Sequence, residues 1–112
     1  MPMREGMVIC PRGRKYHAVM MQARDQLIDA FGGCTITASV GSWRGATGQV
    51  ITEPVWQLVV AYNPFYKVSR LPMERVAQFI GREAKQQAVY VRYANGHVEI
   101  IPTGQLWQQA AE

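Results

Sequence analysis

A chain of 112 residues makes one domain with one modest core, about two thirds of its unfolded surface leaving water on folding. Its 48% hydrophobic content excludes wholesale disorder, and no apolar run approaches the roughly 18 residues of a membrane span. The net charge of +4 sits almost entirely at the start: Arg4, Arg12, Arg14, Lys15 and Arg24 face only Glu5 within residues 1–24.

Taken in order, residues 6–10 (GMVIC) read as a short apolar strand closed by Pro11 and Gly13. A basic turn, PRGRK, follows. From Tyr16 the spacing changes to that of a helix, with Tyr16, Val19, Met20, Ala23, Leu27, Ala30 and Phe31 on one face. Gly32-Gly33 supplies its stop. Cys34 to Val40 alternates as a strand. Gly41 to Gly48 reads as a glycine-rich loop carrying Trp43 and Arg44. A longer strand runs from about Gln49 to Tyr62, with Pro54 demanding an edge position or a bulge because proline cannot donate to a ladder. Residues 63–71 are irregular. Pro72 suits a first helical turn, and Met73, Val76, Ala77, Ile80 and Ala84 carry that helix through Gln86. Ala88 to Tyr93 and Val98 to Ile101 are strands around Asn95-Gly96, a strong hairpin signal. The tail predicts a helical turn that lays Trp107 on the body.

This order predicts an α+β domain over residues 1–112. Its arrangement is ferredoxin-like, β-α-β-β-α-β with an extra C-terminal strand and two helices on one face of an antiparallel sheet. The other face is expected to be too apolar to stand open, since both faces of the long strand carry apolar residues. A homodimer is therefore expected, with Trp56, Leu58, Tyr62 and Tyr90 as its face.

Within this stretch Gly33, Thr35, Ile36, Gly41, Trp43, Arg44, Gly45, Gly48, Glu53 and Pro54, with Gln86 and Val89 further on, form a pattern. It resembles that of a family of small bacterial and phage proteins of unknown function, with G-x-W-R-G followed by a strand opening on E-P. The resemblance covers about half of the chain. It implies a ferredoxin-like fold and brings no activity with it.

Chemistry-bearing patterns are sparse. Trp43 and Arg44 in a loop could stack on a base or clamp a phosphate or carboxylate. Arg12, Arg14 and Lys15 precede a helix N-terminus, which favours anions, although no Walker pattern is present. Phe65, Tyr66, Lys67 and Arg70 interleave aromatics with cations, as single-strand nucleic-acid sites do. His17 and His97 have no partner at metal-ligand spacing, so no metal and no cofactor are expected. Cys10 and Cys34 are too few for a disulfide framework and read as reduced residues of a cytoplasmic protein. The N-terminus lacks a long apolar core, so export by a cleaved signal is not expected.

With only eight acids and no nucleophile–base pattern, the expectation is not an enzyme. It is a non-catalytic module that binds a protein partner or a small anionic ligand, as a phage or mobile-element protein blocking a host complex would. A nucleic-acid binder using the basic turn and loop is the first alternative. A small dimeric ferredoxin-like enzyme is the second.

Overall fold

Val8, Cys10, Leu58, Val60, Val91 and Ile80 are all sealed from solvent in a single cluster between sheet and helices. The computed structural model that places them describes residues 3–65 and 70–103. The elements are β1 (Arg4–Pro11), a short 3-10 turn (Arg14–Tyr16), α1 (His17–Phe31), β2 (Thr35–Arg44), β3 (Val50–Tyr62), α2 (Arg70–Glu83), β4 (Ala88–Arg92) and β5 (Val98–Pro102). The five strands form one antiparallel sheet in the order β2-β3-β1-β4-β5. Trp107 and the rest of the tail lie outside the described residues.

Helix α1 forms where the apolar stripe predicts it, burying Met20, Ala23 and Leu27. It ends on Gly32, whose φ of 88° is left-handed, a conformation that glycine adopts without a Cβ penalty. Helix α2 buries Met73, Val76, Ala77 and Ile80, and its other stripe faces outwards. Full burial of a side chain such as Leu58 or Ile80 contributes about 1.5–3 kcal/mol.

One expectation about β2 and β3 needs correction. The ladder does not stop at Val40: Gly41↔Glu53, Ser42↔Thr52, Trp43↔Ile51 and Arg44↔Val50 continue it. The connecting loop shrinks to residues 45–49, so Trp43 and Arg44 are strand residues. Of the two alternatives for Pro54, the edge position is the one found, without a bulge. It sits in register opposite Val40, just past the last β1 pair, Pro11↔Val55, where β3 has a strand on one side only.

The expected dimer face is also corrected. Directly opposed residues of a ladder share a face, so Ile36, Leu58 and Val8 point the same way, as do Trp56 and Cys10. That way is towards the helices: Leu58 and Tyr62 belong to the core, and Trp56 packs against it. Of the four residues, only Tyr90 lies on the uncovered face, beside Met7, Ile9, Val55, Val59 and Ile100. The two-residue period separates the faces of a strand, but it does not say which one the helices take.

Candidate functional site

Helix α2 begins with Arg70, and four residues later comes Glu74, one turn along the same side. The Arg70 Nε donates to Glu74 Oε1 at 2.7 Å, and its Nη2 donates to Glu99 on β5. One guanidinium thus bridges two carboxylates from two elements, which its planar fork permits. Glu99 is the centre of the group. Its Oε2 accepts from the Tyr93 hydroxyl at 3.3 Å, and its Oε1 lies 3.2 Å from His97 Nε2. The Arg70 guanidinium stands 4.9 Å from the centre of the Tyr93 ring, and the His97 ring stacks with that same ring, centroids 6.0 Å apart.

Local sequence explains the placement. Asn95-Gly96 folds β4 back into β5, with Gly96 at φ 89° and the Asn95 side chain accepting the His97 amide at 2.9 Å. That turn brings Tyr93, His97 and Glu99 together on the edge facing α2. Burial, then the nearby charges of Glu99 and Glu74, push the Tyr93 phenol well above its ordinary range, with Arg70 opposing them. The hydrogen bond to Glu74 and the charge of Glu99 hold Arg70 more firmly protonated, against some desolvation. Taken together, Arg70, Glu74 and Glu99 carry a formal charge of −1.

The cluster heads a groove of about 730 Å³ between α2 and β5, with Leu71, Phe79 and Ile101 as apolar wall and Gln78 along its length. Arg75 and Arg82 also line it and have no ion-pair partner among the described residues. Acid, base and apolar wall in one concave surface make this a place where a small molecule can be held. Among the described residues, no group of three or more His, Cys, Asp or Glu side chains could hold a metal ion. Both cysteines are free.

Of the binding residues expected from sequence that are described, only Arg70 enters this cluster. Arg12 is committed to structure: it donates to the backbone carbonyls of Val55 (3.2 Å) and Ser39 (3.1 Å) and lies over the Trp56 ring at 5.4 Å. Arg14 and Lys15 are exposed in the short turn, Lys15 over Tyr16 at 4.9 Å. Arg44 donates to Gly48 O at 2.6 Å at the hairpin tip beside Trp43. Phe65 is exposed at the end of β3, while Tyr66 and Lys67 lie outside the described residues. The tip and the Tyr62 end of β3 are twelve residues apart, roughly 40 Å of extended strand. Trp43 and Arg70 therefore lie towards opposite ends of that strand.

Sequence reasoning misses Glu74, Tyr93 and Glu99. Their signals are present but faint: an Arg-x-x-x-Glu pair opening a helix, and Tyr, His and Glu spaced around an Asn-Gly turn.

No protein-family model matches the chain. No curated protein matches it either. Solved structures of a phage SAM lyase share its fold. A phage SAM lyase in complex with S-methyl-5'-thioadenosine superposes with a TM-score of 0.64 at 15% identity, covering 89% of this chain and 89% of that one. The phage SAM lyase in its apo state gives 0.65 at 14% identity, with the same 89% and 89% coverage. The periplasmic divalent cation tolerance protein CutA from Archaeoglobus fulgidus aligns at 0.48 and 9% identity over 90% of this chain and 83% of that one, a likeness too loose to carry weight.

At such identities the likeness to the lyase is one of fold. It overturns two expectations all the same, that of a non-catalytic binding module and that of a chain without enzyme activity. Both rest on the premise that so small a chain with so few acids is free of chemistry, and a phage protein of this fold and nearly this extent is a lyase. No helix among the described residues is long and apolar enough to cross a membrane.

Proposed function

We propose that this protein is a lyase acting on S-adenosylmethionine or a closely related sulfonium nucleoside, with the groove between α2 and β5 as its site. Release of S-methyl-5'-thioadenosine from such a substrate breaks one C–S bond. The electron pair goes to sulfur, which becomes a neutral thioether, and the departing carbon makes good its lost bond without added water, either by bonding to a nucleophilic atom of its own skeleton or by elimination, in which a neighbouring C–H bond supplies the new pair and its proton passes to a base. Positive charge therefore disappears as the bond breaks. A carboxylate held against the sulfur would stabilise the substrate more than the transition state and slow the reaction. The groove supports this chemistry because it separates the two environments. Leu71, Phe79 and Ile101 offer an apolar wall for the sulfur, while Glu74 and Glu99 stand at the head, suited to the ammonium group.

The observation that carries the reading is the coincidence of a lyase's fold over 89% of the chain with a carboxylate–aromatic cluster of net charge −1 at a groove. Arg75 and Arg82, without an ion-pair partner among the described residues, are suited to the substrate's carboxylate. The ferredoxin-like description of the fold goes with it, supported by the β2-β3-β1-β4 order and β5 as the added edge strand. A cytoplasmic place of action also goes with it, since S-adenosylmethionine is made inside cells.

The test is incubation of the purified chain with S-adenosylmethionine, without methyl acceptor, followed by chromatography and mass measurement. S-methyl-5'-thioadenosine accumulates in proportion to protein, and Glu74→Gln slows its release at least tenfold. A chain that releases none at high protein concentration, while folded by circular dichroism, overturns the reading.

A further inference from the structure

We infer that Tyr93 is a positioning residue of the groove, a role that rests on the lyase reading for its substrate. Its hydroxyl holds Glu99, and through Glu99 and Arg70 it sets the one carboxylate oxygen, on Glu74, that is left for the substrate's ammonium group. The two acids at the head of the groove use their oxygens differently. On Glu99 both are engaged: Oε2 accepts from the Tyr93 hydroxyl at 3.3 Å, while Oε1 accepts from Arg70 Nη2 and lies 3.2 Å from His97 Nε2. On Glu74, Oε1 accepts from Arg70 Nε at 2.7 Å, and Oε2 has no hydrogen-bond partner among the described residues. An ionised carboxylate only accepts, so that free oxygen is the one able to take a further N–H donor. Glu99 is committed to the network, and Glu74 has an oxygen to offer.

Of the groups around Glu99, Tyr93 is the fixed one. It is 4% exposed, whereas the Arg70 and His97 side chains are each 53% exposed. Its backbone closes the Asn95-Gly96 turn, with its N–H donating to His97 O at 2.8 Å and its carbonyl accepting from the Gly96 N–H at 2.9 Å. Burial, with the charges of Glu99 and Glu74, keeps the phenol protonated, so it stays a donor.

A long, half-exposed side chain such as Arg70 loses rotamer freedom when it is held in one geometry. Here it stands over the Tyr93 ring, 4.9 Å from its centre, and is tied at one side to the carboxylate that the Tyr93 hydroxyl anchors. Removing that hydroxyl frees Glu99 to turn, Arg70 follows it, and the free oxygen of Glu74 loses its fixed place. The ring contacts with Arg70 and His97 do not need the hydroxyl. The substrate's ammonium keeps its charge throughout the reaction, so a contact with it is equally strong in the ground and transition states. Its loss therefore appears in KM more than in kcat.

Titration calorimetry of the whole chain with two probes tests it. S-adenosylhomocysteine carries the ammonium but no sulfonium to break, and S-methyl-5'-thioadenosine lacks the ammonium altogether. Tyr93→Phe weakens binding of the first by about threefold to tenfold and leaves that of the second unchanged. In turnover of S-adenosylmethionine its KM rises by a similar factor, and by more than kcat falls. On a Glu99→Gln background Tyr93→Phe has little further effect, because the hydroxyl acts through that carboxylate. Equal weakening of both probes, no weakening of either, or full additivity with Glu99→Gln overturns the inference. Should Tyr93→Phe fail to fold, Glu74→Gln against Glu99→Gln decides: the first weakens S-adenosylhomocysteine more, and the reverse order overturns the assignment. A wild-type chain that binds both probes and releases no S-methyl-5'-thioadenosine overturns the lyase reading alone, and the probe comparison still decides the role of Tyr93. A chain that binds neither probe overturns both.

Discussion

The Tyr62 hydroxyl accepts the backbone N–H of Ala94 at 2.8 Å, tying the end of β3 to the turn that carries the site. Both residues are buried, and the Tyr62 ring stacks on Phe31 with centroids 4.9 Å apart. Tyr62→Phe keeps the ring and removes the acceptor. The Ala94 amide is then buried without a partner, at a cost of about 1–3 kcal/mol. Thermal unfolding followed by circular dichroism should show a drop of roughly 5–15 °C. An unchanged melting temperature would mean that the amide finds water and that the turn is loosely held.

Alkaline pH should unfold the protein early. Burial pushes the Cys10 thiol from its ordinary 9.0 to about 12 and lifts the Tyr62 and Tyr93 phenols above 10. In the unfolded chain these groups ionise at their ordinary values, so above about pH 9 the unfolded state holds fewer protons than the folded one. Stability is therefore full below pH 9 and declines as pH rises towards the folded values. Melting temperature measured from pH 7 to pH 11 shows the decline. Cys10→Ala lowers the starting point by leaving a small cavity, but flattens the first part of the slope. A wild-type curve that is level to pH 11 would contradict the burial of these groups.

How far the sequence reaches is clear from particular residues. Helix α1 and the Asn95-Gly96 hairpin are legible because each rests on local rules: a stripe with a glycine stop, and a turn that needs positive φ. The β2–β3 ribbon is hidden because Gly41 and Pro54 look like breakers. They are tolerated where the ribbon has lost its neighbouring strand, and that loss is a tertiary fact. The helix-covered face is easily taken the wrong way round for a similar reason. Val55 and Val59 on one side are nearly as apolar as Leu58 and Val60 on the other, so period alone does not rank them. Glu74, Tyr93 and Glu99 come from separate parts of the chain, and nothing in their spacing announces that Arg70 joins them. Counting acids argues against catalysis, whereas what matters at a site is where two of them meet.

Gly81 offers a case in which two rules oppose each other. It lies inside α2, where alanine is preferred to glycine by about 1 kcal/mol, so propensity alone predicts that Gly81→Ala stabilises. Packing predicts the reverse. The Thr103 side chain occupies the space where a Cβ would stand, while Thr103 donates through its hydroxyl to Gln86 O and through its amide to Gln87 O at 3.2 Å. A helix backbone on one side and two hydrogen bonds on the other leave little room to yield. Overpacking of this kind costs about 1–3 kcal/mol and outweighs the propensity gain. Gly81→Ala should lower the urea midpoint with an unchanged slope; a raised midpoint would show that the end of β5 moves aside freely.

Arg70 separates a site residue from a structural one. Its side chain is half exposed, and exposed ion pairs hold a fold together only weakly, so Arg70→Ala should leave the melting temperature within a few degrees of wild type. Its effect on the groove is larger. Without the guanidinium, Glu74 and Glu99 lose the group that fixes their spacing, and like charge drives them apart. Release of S-methyl-5'-thioadenosine should then fall at least tenfold. Arg70→Lys keeps the charge, but an ammonium cannot span two carboxylates as a planar fork does, so it restores only part of the rate. If both variants keep wild-type turnover, the carboxylate pair at the head of α2 is not where the substrate is held.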